Sequence, residues 1–312
     1  MTTLKVLLLC STRFALPAMR DLLYSGSLAA VVIPEHGEEM IEEVRSLLNA
    51  PGISVIAVNK ENNSSELKKA IKKYDAALVM MLTYPFKISK EIYSLPLNGF
   101  FNFHPGPLPE YRGPDPVFQQ VLRREAFAGV TVHRVDEGMD TGPVVIKEML
   151  RTDPADTYGI LNNKLAELAA KLAGILLKMA ALDLPIPSKP QDESKARYFK
   201  RQTSADIVIR WDTMDAESII GLIHACNPWN KGAVTSVNNK IIRLLDAEKT
   251  GSKNTEEKLP GTVIAADAES LTVAAINGEC IRIGYVYIDE GFMKAGRLTA
   301  IGVNRGSRFT GL

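Results

Sequence analysis

The sequence predicts an α/β protein in which a mostly parallel sheet is followed by a smaller β-rich domain. Three observations support this prediction. Short apolar runs alternate with segments of helical periodicity throughout the first half of the chain. A proline-rich stretch at residues 184–190 then interrupts every regular pattern. Beyond it the chain carries short strand-like runs separated by Gly, Asn and Asp, which is typical of a separate all-β domain.

The runs of the first half are short and almost continuously apolar, as expected for strands buried on both faces of a parallel sheet. The predicted strands cover residues 4–10, 28–33, 54–58, 75–81, 99–103, 129–135 and 144–150. Apolar residues at helical spacing predict helices at residues 15–24, 40–49, 64–73, 114–123 and 158–182. This alternation predicts a Rossmann-like sheet, whose ligands bind beyond the carboxyl ends of the strands.

The last third of the chain predicts a small β-barrel of the OB-like kind. A helix is expected at residues 216–225, and the predicted strands cover residues 233–237, 240–246, 262–266, 271–276 and 280–288. The polar, proline-containing stretch before them reads as a linker. We therefore expect a catalytic domain at 1–185, a linker at 186–205 and a barrel domain at 206–312.

Composition narrows the function classes. The 312 residues carry a net charge of +1, so no strong overall field favours DNA or an anionic membrane. No apolar stretch is long and uncharged enough to span a bilayer, so no membrane partner is expected. The three cysteines lack metal-ligand or CxxC spacing, and no His and carboxylate cluster has such spacing either. We expect a cytoplasmic protein without a metal.

Three polar residues form the candidate catalytic set. Asn102 and His104 end the fifth predicted strand, and Asp140 lies in the loop at 136–142. Alternation along a strand places Asn102 and His104 on one side, where both can donate to a developing oxyanion. Asp140 would hold the imidazole or accept a proton from an attacking amine. The structural alternative is a histidine that only satisfies a loop carbonyl.

The loop that follows His104 is stiff and rich in glycine and proline. Its predicted substrate-facing residues are Leu108, Pro109, Tyr111, Arg112 and Gly113. Arg112 either contacts an anionic part of a substrate or lies in solvent, and the sequence leaves both open. His133 and Asp136 could form a second acid–base pair, but their place on or beside a strand predicts a structural role. The first strand–helix turn has no glycine fingerprint, so the usual nicotinamide or ATP site is not expected.

These motifs resemble the formyltransferases that use 10-formyltetrahydrofolate. Asn102-x-His104 with Asp140 matches the family's catalytic Asn, His and Asp, and the segments at 108–113, 129–131 and 136–142 match its neighbouring loops and strand. The resemblance implies the formyltransferase fold, a folate formyl donor and transfer to an amine. It also implies that the donor's pterin is held by residues from two segments, which are Met81, Leu82, Tyr84, Phe86, Glu137, Gly138 and Met139.

The resemblance and the charge pattern point to different amine acceptors. Segments at 209–211, 223–229 and 260–263 resemble the barrel of members that formylate methionyl-tRNA. The loop those members use for tRNA is basic, whereas residues 34–44 here hold five glutamates and no lysine or arginine. Residues 201–312 carry 13 basic and 13 acidic residues, and 104–109 reads His-Pro-Gly-Pro-Leu-Pro. Acidic groups repel a phosphate backbone. The prediction is methionyl-tRNA, with a small amine (an amino sugar nucleotide or a modified amino acid) or hydrolysis to formate as alternatives.

Overall fold

The computed structural model describes residues 4–48, 53–255, 257–289 and 291–312. The chain divides into two compact units. The first unit comprises residues 1–116, 127–150 and 162–199, and the second comprises 117–126, 151–161 and 200–312. The second unit therefore includes two segments from the first half of the chain. No described helix is long and apolar enough to cross a membrane.

The first unit is built on a seven-stranded sheet in the order β3-β2-β1-β4-β5-β6-β7. The strands are β1 Val6–Cys10, β2 Leu28–Pro34, β3 Ser54–Val58, β4 Leu78–Leu82, β5 Gly99–His104, β6 Phe127–Arg134 and β7 Val144–Arg151. β1 to β5 pair in parallel, whereas β6 runs antiparallel to β5. All residues of β1, β2 and β4 are buried, which explains their continuous apolar sequences. The predicted mostly parallel sheet is confirmed.

Helices connect these strands close to the predicted positions. They are α1 Leu16–Tyr24, α2 Glu38–Leu47, α3 Asn63–Lys73, α4 Lys90–Tyr93, α5 Pro116–Leu122 and α6 Tyr158–Ala181. The short α4 was not predicted. The predicted last residue of the second helix, Asn49, lies outside the described residues. The acidic segment is helical from Glu38, and its Met40, Ile41 and Val44 are buried while its glutamates lie on the other side.

The second unit holds α7 Ala216–Ala225 and a six-stranded antiparallel sheet. Its strands are β8 Ala233–Val237, β9 Lys240–Lys249, β10 Val263–Ala266, β11 Leu271–Ala274, β12 Cys280–Ile288 and β13 Gly291–Lys294. The order is β10-β11-β12-β9-β8, and β13, which was not predicted, pairs with β12. The terminal segment bonds to both edges of this sheet, through Ser236 with Thr310 and Thr262 with Arg308. It thereby closes the sheet into the predicted barrel.

Candidate active site

Asn102 and His104 occupy the carboxyl end of β5, as alternation along the strand predicts. In the ladders Asn102 pairs with Met81 of β4 on one side and with His133 of β6 on the other. Both side chains are buried. The intervening Phe103 is fully buried in the core. The two polar groups therefore lie side by side at the strand end where parallel α/β sheets bind ligands.

Asp140 is the centre of the site. Its Oδ1 lies 3.3 Å from Asn102 Nδ2, 3.5 Å from His104 Nδ1 and 3.8 Å from His133 Nε2. Its Oδ2 accepts a hydrogen bond from Gly113 N–H at 3.0 Å. The backbone of Asp140 has φ of +57°, a left-handed conformation that is uncommon outside glycine. This conformation turns the carboxylate inward, and the structure thus brings the three predicted catalytic residues together.

The partners of the rings fix where the hydrogens lie. A carbonyl oxygen only accepts, so His104 Nε2 donates to Tyr111 O at 2.6 Å. His133 Nδ1 donates to Arg134 O at 2.9 Å, which leaves its Nε2 to accept from Asn102 Nδ2 at 3.0 Å. The amide of Asn102 thus directs its nitrogen to both His133 and Asp140. The donors predicted for an oxyanion are all engaged inside the protein in this conformation.

Burial and neighbouring charges shift the pKa values of Asp140 and His104 in opposite directions. Burial alone would raise the pKa of Asp140, but the charge of His104 and the hydrogen bond from Gly113 N–H outweigh it and hold this pKa well below its usual range. Burial lowers the pKa of His104, although the charge of Asp140 and the carbonyl of Tyr111 oppose it. Asp140 is therefore ionised at neutral pH.

The loop at 108–113 packs inward on the rest of the first unit. Leu108 is buried, its N–H donates to Thr131 Oγ1 at 3.1 Å, and its carbonyl accepts from Lys147 Nζ at 2.8 Å. Pro109 follows through a cis peptide bond. Tyr111 is buried and stacks on Phe199 with 5.4 Å between the ring centroids.

Arg112 is neither solvated nor open to a ligand in this structure. Its side chain is 8% exposed and forms an ion pair with Glu193, with Nη2–Oε1 at 2.6 Å and Nη1–Oε2 at 2.9 Å. Its Nε and Nη2 also donate to Gln191 Oε1. Neither Gln191 nor Glu193 was predicted to belong to the site, since both lie in the predicted linker. A contact between Arg112 and a substrate stays a prediction.

The residues predicted to hold the formyl donor lie on two sides of Asn102 and Asp140. Met81 is the ladder neighbour of Asn102, and Leu82 is fully buried behind it. The Tyr84 hydroxyl is buried and donates to Asn63 Oδ1 at 2.6 Å, while Phe86 is half-buried with its edge toward Tyr84.

In the second segment Glu137, Gly138 and Met139 are exposed immediately before the buried Asp140. Asp136 Oδ1 organises this turn, since it accepts from Gly138 N–H at 3.0 Å and Thr141 Oγ1 at 2.7 Å. Among the described residues there is no group of three or more His, Cys, Asp or Glu side chains that could hold a metal ion.

A buried carboxylate between an amide and two imidazoles, at the end of a mostly parallel α/β sheet, combines groups that can stabilise an oxyanion with groups that can take up a proton. Comparison with known proteins identifies the family to which the chain belongs. A family model described as Formyl transferase matches residues 23–174, and one described as Formyl transferase, C-terminal domain, matches residues 201–295. The chain belongs to the formyl transferase family, and it is a formyl-transferring enzyme.

Relatives match across both units. Methionyl-tRNA formyltransferase of Rickettsia prowazekii is 30% identical over 267 residues, covering 84% of this chain and 86% of the relative. Methionyl-tRNA formyltransferase of Dictyoglomus thermophilum is 32% identical over 216 residues, covering 69% and 68%.

Solved structures share the fold at lower identity. HypX from Aquifex aeolicus in complex with tetrahydrofolic acid has a TM-score of 0.65 and 17% identity, over 96% of this chain and 47% of that chain. An N-formyltransferase from Helicobacter canadensis, solved with folinic acid and dTDP-3-aminofucose, has a TM-score of 0.64 and 17% identity, over 90% of this chain and 99% of that chain.

Proposed function

We propose that this enzyme transfers a formyl group from 10-formyltetrahydrofolate to the amino group of methionyl-tRNA, through a site formed by Asn102, His104 and Asp140. The observation that carries the proposal is the buried, ionised Asp140 placed within 3.3 Å of the Asn102 amide and 3.5 Å of the His104 imidazole. The methionyl-tRNA formyltransferases that match most of this chain support the acceptor.

Each residue of the set has a distinct part in the proposal. When bound, the folate donor supplies the formyl carbon that the amine attacks. Asn102 and His104 stabilise negative charge that develops on the formyl oxygen, an effect worth about 2.7–4 kcal/mol per donor. Asp140 accepts the proton that the attacking amine loses, directly or by way of His104, and returns it to the folate nitrogen as the bond between that nitrogen and the formyl carbon breaks. The low pKa of Asp140 keeps the carboxylate ionised before the amine binds.

The hydrogen bonds in this structure show which contacts of His104 and Asn102 must break when the formyl donor binds. The hydrogen of His104 Nε2 is held by Tyr111 O at 2.6 Å, whereas the Asn102 Nδ2 contact with Asp140 is 3.3 Å. Hydrogen bonds weaken with length, so the longer contact exchanges at the lower cost. Asn102 is therefore the donor that turns to the formyl oxygen first, and Asp140 is left with a free lone pair for the proton.

The residues beside the set fit a flat heteroaromatic donor. Met139 exposes 47% of its surface directly before Asp140, and Phe86 is half-buried near the end of β4. An exposed apolar side chain beside convergent polar groups is the usual composition of a small-molecule site. Met81, Leu82 and Tyr84 are all buried, so in the proposal Phe86 and residues 137–139 contact the donor and the other three support them.

A small amine is the second candidate acceptor, and helix α2 favours it. Of its glutamates, Glu43 is paired with Arg13 at 2.8 Å and Glu42 with Arg45 at 2.8 Å. Glu38 and Glu39, in the first helical turn, are exposed. Uncompensated carboxylates repel a phosphate backbone but attract an ammonium group.

Acceptor assays separate these functions. The enzyme with 10-formyltetrahydrofolate is offered initiator methionyl-tRNA, a panel of amino sugar nucleotides and modified amino acids, or no amine, and formylated product and free formate are measured. Formyl-methionyl-tRNA is expected. If a formylated product forms only with a small amine, that amine and not methionyl-tRNA is the acceptor. If formate is released without any amine, the enzyme is a hydrolase.

Asp140→Asn tests the site in the same assay. It retains the shape of the side chain and removes the charge, so we expect kcat/KM to fall by about 10²–10⁴-fold. The control is Asp21→Asn, the same change at an exposed position of α1. Activity of the Asp140 variant close to that of the control would refute the assignment.

A further inference from the structure

A segment that was predicted to be a linker crosses the candidate site. We call residues 189–199 the strap. At its start Lys189 pairs with Val144 of β7 through two main-chain hydrogen bonds of 2.8 and 2.9 Å. At its end Arg197 N–H donates to Pro109 O at 3.1 Å, and Arg112 N–H donates to Arg197 O at 3.0 Å. The strap is therefore attached at both ends to structure that flanks Asp140.

Gln191 connects the strap to the Asp140 loop. Its Nε2 donates to Asp140 O at 2.8 Å and to Gly142 O at 2.8 Å. Its Oε1 accepts from Arg112 Nη2 at 2.8 Å and from Nε at 3.2 Å. Two acceptors on one end and a guanidinium on the other allow only this orientation of the amide. Every hydrogen-bonding atom of the side chain is thus committed to the site.

Arg112 holds Gln191 in place from the other side. The guanidinium is buried and forms a two-point ion pair with the exposed Glu193. Such a planar pair fixes orientation as well as distance. A continuous chain of polar contacts consequently runs from Glu193 through Arg112 and Gln191 to the main chain of Asp140.

The Asp140 loop needs an external constraint. Asp140 has φ of +57°, a left-handed conformation that is unfavourable for a non-glycine residue unless its surroundings enforce it. Gln191 binds the carbonyls of Asp140 and Gly142, on both sides of Thr141. Because the two bonds bracket the turn, they oppose the rotation that would carry the carboxylate away from His104.

We infer that Gln191 is a positioning residue for the reaction: its amide, oriented by Arg112 and Glu193, fixes the left-handed backbone of Asp140 and so the distance between the Asp140 carboxylate and His104. The inference rests on the proposed roles of Asp140 and His104. It requires no contact between Gln191 and a substrate.

The test compares Gln191→Met with Lys195→Met. The first change removes the amide at nearly constant length, and the second places the same residue elsewhere on the strap, where Lys195 is exposed and pairs with Asp192 at 3.6 Å. A displacement of about 1 Å at reacting groups costs about 100-fold. We expect kcat of Gln191→Met to fall by roughly 10–100-fold. KM should stay within about twofold of the wild type, and Lys195→Met should match the wild type.

Gln191→Glu supplies a second variant. Its carboxylate still accepts from Arg112 but cannot donate to the two carbonyls, so it isolates the contacts with the Asp140 loop. The same loss of kcat is expected for it. Unchanged kcat in Gln191→Met and Gln191→Glu, with both proteins folded, overturns the inference, and so does an equal loss in Lys195→Met.

An NMR titration of the histidine rings gives a readout that does not depend on activity. The titratable groups facing the His104 ring are Asp140, which raises its pKa, and His133, which lowers it. When Asp140 moves away, His104 should titrate at lower pH in Gln191→Met than in the wild type or Lys195→Met. An unchanged titration of His104 overturns the inference. A wild-type enzyme without formyl transfer would refute the proposed function instead. The titration of His104 would still show whether Gln191 positions the Asp140 carboxylate.

Discussion

Gly113→Ala is expected to weaken both the fold of the first unit and the site. Gly113 has φ of +117°, and a Cβ added there would lie 2.1 Å from the main-chain oxygen of Phe199. A main-chain atom cannot swing aside as a flexible side chain does, so either the loop or the strap must move. Movement of Gly113 also breaks its N–H bond to Asp140 Oδ2, which is 3.0 Å long.

The cost has two parts. A non-glycine residue in this region of backbone space costs about 1–3 kcal/mol. Loss of a buried hydrogen bond to a charged group costs about 1.5–3 kcal/mol more. The free energy of unfolding should therefore fall by about 2.5–6 kcal/mol, and each kcal/mol corresponds to about 2–4 °C in Tm for a unit of this size.

Differential scanning calorimetry and formyl-transfer kinetics measure the two effects. Gly26→Ala is the matched control, because Gly26 also has a positive φ of +68° but no atom lies within 4 Å of an added Cβ. The control should lose only about 1 kcal/mol and keep full activity. If Gly113→Ala shifts Tm no more than Gly26→Ala does, the close approach of strap and loop is not what the structure describes.

Two further predictions concern buried polar side chains. Tyr84→Phe removes the hydroxyl bonded to Asn63 Oδ1 at 2.6 Å, so the free energy of unfolding should fall by about 1–3 kcal/mol in urea denaturation. KM for the formyl donor should not change, and a raised KM at unchanged stability would assign Tyr84 to the donor. His224 is buried, and burial lowers its pKa below the ordinary value, although Asp246 opposes this. Its protonation therefore favours the unfolded chain, and stability should be lost as pH falls below about 6.5, by about 1.4 kcal/mol per pH unit until the lowered pKa is reached. His224→Gln should flatten this dependence between pH 6.5 and 5.5, and identical slopes in urea denaturation would contradict the expectation.

Local patterns predicted the parts of the site that depend on local structure. The apolar run of β5 and its period of two placed Asn102 and His104 on one side, and the structure confirms that strand. The position of His133 opposite Asn102 depends on the antiparallel pairing of β6 with β5. That pairing is a non-local contact that a local sequence pattern does not record, so His133 was predicted to be structural and not part of the site.

The strap shows a second limit of sequence patterns. Residues 186–205 are polar and contain proline, a composition that also describes free linkers, and their boundaries as a linker stay a prediction. What distinguishes the strap is a set of hydrogen bonds from Gln191 and Arg197 to residues some 50 to 90 positions away in the chain. No periodicity records such pairings, because each residue meets a different partner.

The interleaving of the two units limits how this enzyme can be taken apart. Residues 117–126 and 151–161 belong to the unit that is otherwise formed by 200–312. Within that unit Phe118 packs edge-on against Trp229, and Gly221 closely approaches the carbonyl of Leu122. A fragment cut before residue 200 would lack these partners and expose the surfaces they cover. Chimaeras that exchange barrels within the family therefore have to carry all three segments together.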